Sequence, residues 1–569
     1  MFPAALVAEE AVGNAPLGLI FRLETGMHAS LIRRMAIDPG QRFLVTVSDD
    51  RTARIWSLPE GKLLRILRAP IGGGKEGELY AVSVSNDGRY VAVGGYSGWE
   101  WRKKTVVYLF EVESGVLKKT LGELPDSINN LAFLPGDEYL AVGLAGNNGI
   151  RFLRVSDGAL VGIDRQYAGT NVGMDVSSQG MTASSSQDGY VRLYDASFHL
   201  VDAKRLFPGK PAGVAFSPDG GSLAVGFEDQ TRVEVLSVPG LNTLYAPDVS
   251  GIQGRLSLVT WSPDGQYLFA GGQQGTTGND KIRKWADRGM INTSGTSRYV
   301  DLQSGAASLT DLLGVGGGGV LYAGADPSFG LINAEGFQVF HVGPATVNFR
   351  GVGSNLLASE DGKRVQFPYG PQGAIPARFD VAALRLEPAG ASDGTMQPPL
   401  IASGKIRFTW LSKGKGIQVN GYPIKLEADE EFQSMAIMPG EQMVSLGSNQ
   451  RLRLVGIDGR LLWSTVVPAT VWGMVFSGNG RYLITALEDG TLRWYYAANG
   501  HEIMALYPHI DRQRWVLFSP NKLFTLSVGA ENLVGWHRNQ GIGREARFFT
   551  HEGLFQSFNR PDVIGQLLK

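Results

Sequence analysis

Short stretches of alternating apolar and polar residues follow one another along most of this chain, and a polar turn closes each stretch. In residues 32–67 the pattern predicts strands at 34–37, 43–48, 53–58 and 63–67, with a turn at 49–51. An alternation of period two is typical of strands that present one face to a neighbouring sheet. The pattern therefore predicts small units of four antiparallel strands joined by tight turns.

This unit repeats along the chain. Its turn glycines are Gly40, Gly88, Gly136, Gly180, Gly220 and Gly265, followed after a less regular zone by Gly440 and Gly480. Within the first run the spacing is 40 to 48 residues, which matches the roughly 40 to 50 residues of a β-propeller blade. We therefore predict an all-β protein of two tandem propellers, the first with seven blades and the second with about five to seven. A ring of blades must close to protect its strand edges.

The repeat also predicts domain boundaries. Residues 1–24 form an N-terminal segment, with a strand near 19–23 that is available to close a propeller. Residues 25–342 form the first propeller and residues 343–549 the second. Residues 550–569 are a short C-terminal extension with helical character near 562–568.

Composition excludes several classes of function. Lys and Arg together number 53 and Asp and Glu 54, so no net field attracts nucleic acid. No apolar stretch approaches the ~20 residues of a membrane span. The chain has no cysteine, which excludes a cysteine nucleophile and a zinc–thiolate site. The compartment stays open: cytoplasmic as the sequence is written, or periplasmic if Met1 to Ala8 is the remnant of a trimmed signal peptide.

The motifs predict no catalytic residue, no cofactor site and no metal site. The seven histidines lack metal-ligand spacing. The glycine run at 314–319 precedes a predicted strand, whereas a dinucleotide loop precedes a helix. We therefore expect a protein that is not an enzyme. The alternative is a small-ligand-binding or hydrolytic propeller with polar side chains gathered at the mouth of a central channel.

Several repeats resemble WD repeats. The closing strand of those repeats is similar to residues 54–57, 191–195, 282–285 and 492–494. In the first repeat, His28, Ser48, Asp50 and Trp56 resemble the hydrogen-bonded structural set of the family. The resemblance implies a scaffold for protein–protein interaction.

A more specific resemblance covers roughly residues 347–569. Runs at 376–380, 472–475, 489–494 and 535–541 are similar to the C-terminal propeller of bacterial proteins that combine WD repeats with a caspase-like peptidase. Residues 555–563 resemble the junction where that peptidase begins. The resemblance implies the sensing or targeting part of a caspase-like protease system, without the peptidase domain.

Enlarged turns indicate which face binds a partner. The turn between the second and third strands of a unit grows at 96–104, 145–149 and 273–280, and the connections 68–78 and 245–254 on the same face are also long. Function on rigid scaffolds concentrates on such loops. The candidate partner-binding residues are Trp99, Trp101, Arg102, Lys103 and Lys104, because Trp and Arg are enriched at binding hot spots. We expect a protein or peptide partner there, unless both tryptophans fold back to cap the blade.

Overall fold

The computed structural model describes residues 18–274, 280–291, 297–390, 394–411, 416–427, 430–550 and 555–568. It has two compact units. One, the first propeller, comprises residues 30–343 and 538–547. The other, the second propeller, comprises the described residues up to Ala29, together with 344–537 and those from Phe548 onward. The segment Met1 to Ala8 and residues 275–279 of the turn at 273–280 lie outside the described residues.

The described part of the first propeller contains seven four-stranded antiparallel sheets, and four consecutive strands form each of them. Strand β1 (Leu19–Leu23) precedes these sheets and belongs to the second propeller. The seven blades are β2 (Ile32–Ile37), β3 (Phe43–Ser48), β4 (Ala53–Ser57) and β5 (Leu63–Leu67); β6 (Leu79–Val84), β7 (Tyr90–Gly95), β8 (Thr105–Glu111) and β9 (Leu117–Leu124), with helix α1 (Trp99–Arg102) between β7 and β8; β10 (Ile128–Phe133), β11 (Tyr139–Leu144), β12 (Ile150–Arg154) and β13 (Leu160–Asp164); β14 (Asn171–Val176), β15 (Thr182–Ser186), β16 (Tyr190–Tyr194) and β17 (Leu200–Arg205); β18 (Pro211–Phe216), β19 (Ser222–Phe227), β20 (Val233–Ser237) and β21 (Thr243–Tyr245); β22 (Leu258–Trp261), β23 (Leu268–Gly271), β24 (Lys281–Trp285) and β25 (Tyr299–Gln303); and β26 (Leu309–Val315), β27 (Gly319–Gly324), β28 (Phe329–Ile332) and β29 (Gln338–Val342).

The seven innermost strands, β2, β6, β10, β14, β18, β22 and β26, line a central channel. The ring closes because β2 packs directly against β26 of the last blade. Further out, the ring of Trp56 contacts Phe329 with centroids 4.7 Å apart. The last blade therefore meets the first without exchanging a strand.

The core of the first propeller lies between neighbouring blades. All six residues of β3 are buried. Val45 and Ile55 of blade 1 share one apolar cluster with Val93 and Tyr108 of blade 2. The outermost strands are partly exposed, as in β17. Because burial of apolar area contributes about 25 cal/mol per Å², the contacts between sheets hold the ring together.

The repeated turns owe their shape to a serine, an aspartate and a glycine. In the turn 217–220, Ser217 Oγ donates to Asp219 Oδ1 at 2.5 Å, and the same oxygen accepts the N–H of Gly221. Gly220 has φ of 71°, a left-handed conformation that glycine adopts without steric cost. The sequence pattern Ser-Pro-Asp-Gly thus produces the turn between the first two strands of a blade.

The described part of the second propeller contains five sheets of three to six strands. They comprise β30 (Leu357–Ser359), β31 (Arg364–Pro368), β32 (Pro376–Asp380), β33 (Arg385–Pro388) and β34 (Met396–Gln397); β35 (Phe408–Trp410), β36 (Ile417–Val419) and β37 (Tyr422–Pro423); β38 (Phe432–Ile437), β39 (Met443–Ser448), β40 (Arg451–Gly456) and β41 (Leu461–Val466); β42 (Val471–Phe476), β43 (Tyr482–Leu487), β44 (Leu492–Tyr496), β45 (Glu502–Pro508), β46 (Trp515–Phe518) and β47 (Phe524–Leu526); and β1 with β48 (Val534–Arg538) and β49 (Arg547–Thr550).

The chain ends in two short helices, α2 (Phe555–Phe558) and α3 (Pro561–Ile564). Phe558 and Ile564 are buried in the largest apolar cluster of the second propeller. The ring of Phe558 lies 5.5 Å from that of Trp536 on β48. Overall, the predicted fold class is confirmed: the protein is all-β and consists of two tandem propellers, the first with seven blades.

Candidate functional site

The enlarged turn of blade 2, residues 96–104, forms a single helical turn, α1, between β7 and β8. Gly98 before it and Lys103 after it have left-handed backbones, with φ of 76° and 55°. Trp99 is half-buried and its ring stacks on Tyr96, with centroids 5.9 Å apart. Trp101 is 41% exposed. One tryptophan thus packs back on the blade while the other faces solvent.

The three cations of this turn are all exposed. Arg102 Nη1 lies 3.2 Å from Glu123 Oε1, and Lys104 Nζ lies 3.6 Å from Glu123 Oε2. Lys103 is exposed and directly follows the last residue of α1. Exposed ion pairs contribute about 0–1 kcal/mol. A partner can therefore replace the contacts of Glu123 at little cost.

A buried glutamate anchors this turn. Glu76 is 2% exposed, and its Oε1 accepts the N–H of Trp99 at 2.9 Å. Its Oε2 has no hydrogen-bond partner among the described residues. Burial raises the pKa of Glu76. Ser97 adds a second bond, because its Oγ donates to Val106 O at 2.6 Å.

The segment 538–547 packs on the same part of the first propeller. The Asn539 amide forms two hydrogen bonds with the main chain of Ile71: its Oδ1 accepts N–H at 3.0 Å and its Nδ2 donates to the carbonyl at 2.7 Å. The N–H of Ala546 donates to Arg68 O at 2.9 Å. Ile542 joins the apolar cluster of blades 1 and 2. The segment 538–547 therefore holds the connection 68–78, which carries Glu76, at Arg68 and at Ile71.

A second candidate site lies at the channel mouth, where the innermost strands begin. A cavity of about 520 Å³ opens there. Its lining consists of Leu31, Arg33, Arg34, Lys75, Tyr80, Ser127, Asn129, Asn171, Val172 and Thr310. Three of these side chains are cationic and none is a carboxylate. The mouth is thus positively biased.

Arg33 and Tyr80 at this mouth already have partners. Arg33 donates to both carboxylate oxygens of Asp49, at 2.8 and 2.7 Å, and lies over the Tyr80 ring. The Tyr80 hydroxyl donates to Glu78 Oε2 at 2.6 Å. Burial and the neighbouring Glu78 raise the pKa of Tyr80. These pairs stabilise the rim, and they engage the carboxylates of Asp49 and Glu78 in hydrogen bonds.

Arg34 separates the mouth from a deeper cavity of about 180 Å³, because it lines both. Its Nη2 donates to Val172 O of blade 4 at 2.9 Å, which spans the channel. Asp175 lines the deeper cavity, and its carboxylate accepts the N–H groups of Phe216 and Val176 at 2.7 and 2.9 Å. Burial raises the pKa of Asp175 to about 6. No histidine lines either cavity in the described part of the chain.

Hydrogen bonds are described for three residues of the expected WD-type structural set, Trp56, Ser48 and Asp50. The indole N–H of Trp56 donates to Thr46 Oγ1 at 2.8 Å. Ser48 Oγ instead donates to Ser30 O at 2.9 Å and accepts the N–H of Asp50 at 3.0 Å. His28 is fully buried. Thr46, which lies two residues before Ser48 on β3, was not among the residues expected from the sequence.

Sequence reasoning missed a recurring ion pair at the turn between the second and third strands. An aspartate pairs with the arginine four residues later, in Asp50–Arg54 at 3.9 Å, Asp188–Arg192 at 2.8 Å and Asp489–Arg493 at 3.2 Å. The available signal was the spacing Asp-x-x-x-Arg at the start of the third strand. These pairs brace the turn.

The family model described as WD domain, G-beta repeat, matches residues 22–57 and 464–495. The first match contains the Asp50–Arg54 pair and Trp56, and the second contains Asp489 and Arg493. None of the curated proteins compared with the chain matches it. These two matches support a WD-repeat propeller, and WD-repeat proteins generally serve as protein-interaction scaffolds.

Among the described residues, no group of three or more His, Cys, Asp or Glu side chains is placed to hold a metal ion. Nor does any helix among them have the length and apolar character needed to cross a membrane.

Proposed function

We propose that this chain is a non-catalytic scaffold that binds a protein or peptide on the face of the first propeller that carries α1. The observation that supports it best is the exposed Trp101 on a turn that Glu76 and Ser97 hold in place. A rigid aromatic side chain beside Arg102 and Lys103 loses little conformational entropy on binding, which favours affinity.

The partner belongs, in this proposal, to a caspase-like protease system in which the chain supplies sensing or targeting. The support is the resemblance of residues 347–569 to the propeller that precedes such peptidases. The absence of cysteine from the chain means that any cysteine nucleophile comes from another polypeptide or domain.

The test places a photo-crosslinking amino acid at position 101 of the full chain and identifies the captured protein by mass spectrometry. Phe337 provides the matched control, because it is an aromatic residue that is 70% exposed. It lies between β28 and β29, and turns between third and fourth strands emerge on the opposite face. Capture at position 101 and not at position 337 supports the proposal.

Substitutions give the second arm. Trp101→Ala with Arg102→Ala is expected to weaken binding of the captured partner roughly 30-fold or more, since hot-spot residues contribute at least ~2 kcal/mol. Phe337→Ala is expected to leave it unchanged. Equal capture at both positions contradicts the proposed face, and a partner unrelated to a peptidase system contradicts only the assignment to that system.

A further inference from the structure

The channel mouth of the first propeller has the volume and the charge of a binding site. Its cavity of about 520 Å³ falls in the ~300–1,000 Å³ range of small-ligand pockets. Arg33, Arg34 and Lys75 are all in its lining, and no Asp or Glu is. A cavity lined in this way attracts anionic groups over cationic ones.

Two of the three cations, Arg34 and Lys75, have N–H groups that the described hydrogen bonds do not use. Arg33 is committed to Asp49 through two bonds. Arg34 donates to the carbonyl of Val172, which uses one of the five N–H groups of its guanidinium. Lys75 is exposed, and Glu78 attracts it electrostatically, but among the described residues its ammonium group forms no ion pair within 4.0 Å. Arg34 at the floor and Lys75 at the rim are therefore available to an incoming anion.

Thr310 gives an independent sign of a missing partner. It lines the same cavity, and its buried Oγ1 has no hydrogen-bond partner among the described residues. A buried hydroxyl without a partner costs roughly 1–3 kcal/mol. An oxygen atom of a ligand in the mouth would accept its hydrogen and remove that cost.

The asparagines of the mouth provide a rigid frame. The Asn171 amide donates to Ser185 O at 3.2 Å and to Gly173 O at 3.3 Å, and accepts from Asn130 Nδ2 at 2.8 Å. Asn129 Nδ2 donates to Asn171 O at 3.3 Å. Because these side chains are already ordered, a ligand does not have to order them when it binds.

We propose that this mouth binds a carboxylate group of a peptide, with Arg34, Lys75 and Thr310 as its donors. Charge-assisted hydrogen bonds from guanidinium and ammonium groups to a carboxylate are the strong ones. The carboxylate is either an acidic side chain or a free chain end. The identity of the ligand as a peptide rests on the proposed scaffold function, whereas the preference for an anion rests on the cavity alone.

The experiment measures fluorescence anisotropy of three labelled peptides with the full chain. Hexaglutamate with an amidated end tests acidic side chains. A Ser-Gly hexapeptide with a free C-terminal carboxylate tests the chain end, and the same peptide amidated is the neutral control. At least one carboxylate peptide is expected to bind more tightly than the neutral control, and its affinity is expected to fall as salt is raised.

Variants assign this binding to the mouth. Lys75→Gln is expected to weaken binding of the carboxylate peptide roughly tenfold, which corresponds to the loss of one charged hydrogen bond. Lys62→Gln is the matched control, because Lys62 is an exposed lysine between β4 and β5, at the opposite end of its blade. Thr310→Val is expected to weaken binding while leaving the melting temperature unchanged or raised, because it removes a hydroxyl that has no partner.

Two results overturn the inference: all three peptides binding alike, or Lys75→Gln and Lys62→Gln having the same effect. The test relies on Lys75→Gln and Thr310→Val, so it stays valid even if variants of Arg34 do not fold. Crosslinking at position 101 does not depend on these peptides, so failure of the carboxylate site leaves the proposed scaffold function standing.

Discussion

The main-chain N–H of Met35, on the first innermost strand, donates to Oδ2 of Asp311, on the last, at 2.7 Å. The other carboxylate oxygen of Asp311 accepts the N–H of Leu312 at 3.0 Å. Similar bonds join other neighbouring blades: Ser83 Oγ accepts the N–H of Phe133. The bond from Met35 to Asp311 thus joins the last blade to the first, as the bond from Phe133 to Ser83 joins blades 2 and 3.

Replacement of Asp311 is therefore expected to weaken ring closure. Asp311→Ala leaves the N–H of Met35 without its acceptor and should destabilise the first propeller by about 2 kcal/mol. Asp311→Asn keeps one acceptor oxygen and should cost less. Calorimetry measures both, with Asp202→Ala as the control, since Asp202 is a partly exposed residue of an outermost strand and accepts only the N–H of its neighbour Ala203 among the described bonds. Equal melting of the Asp311→Ala and Asp202→Ala proteins contradicts this role.

Asp175 predicts a pH dependence of stability. Burial raises its pKa from 3.8 to about 6, so the folded state binds the proton more tightly than the unfolded state. The stabilisation from protonated Asp175 is full below the unfolded pKa and is lost as pH rises through about 6. Between pH 4 and pH 7.5, the free energy of unfolding of the wild-type protein should fall by about 2–3 kcal/mol relative to that of Asp175→Asn. A constant difference in melting temperature across that range contradicts the prediction.

A buried ion pair lies in the second propeller. Arg453 binds both carboxylate oxygens of Glu430, and Ser448 Oγ donates to Glu430 Oε1 at 2.6 Å. Glu430 and Arg453 are each 3% exposed. Glu430→Ala leaves a buried guanidinium without its carboxylate and should cost about 3–5 kcal/mol.

The control for this pair removes both charges. Glu430→Leu combined with Arg453→Met should recover much of the stability, because no buried charge is left unpaired. Chemical denaturation of the single and double variants measures the difference. If the double variant is no more stable than Glu430→Ala, the loss comes from packing and not from the charge.

Glu76 should control the order of the turn that carries Trp101. Glu76→Ala removes the acceptor of the Trp99 N–H, so amide exchange in residues 97–104 should become faster. Hydrogen–deuterium exchange followed by mass spectrometry measures this. Glu123→Ala is the matched control, because Glu123 contacts only side chains of the turn in exposed ion pairs. Equal exchange in the two variants shows that Glu76 does not anchor the turn.

Local patterns predicted the fold, and long-range contacts limited the prediction of the sites. The turn at Gly220 is visible in four consecutive residues, so the repeat and its ring followed from the sequence. The channel mouth unites Arg34, Lys75 and Thr310, which are far apart in the chain and carry no shared motif. The bond from the Trp56 indole to Thr46 was likewise not predicted, because a hydroxyl two residues from Ser48 on the same strand carries no sequence signal of its own.

Every blade of the first propeller is one continuous stretch of chain, and this has a consequence for synthesis on the ribosome. Each blade can acquire all four of its strands as soon as its own residues emerge, and it can dock at once on the blade before it. The face of blade 1 that packs against blade 7 has no neighbour until blade 7, which ends at Val342, has been made. During that interval the nascent ring exposes two unpaired apolar faces, one at the start and one at the growing end, and these are the surfaces that a chaperone would meet.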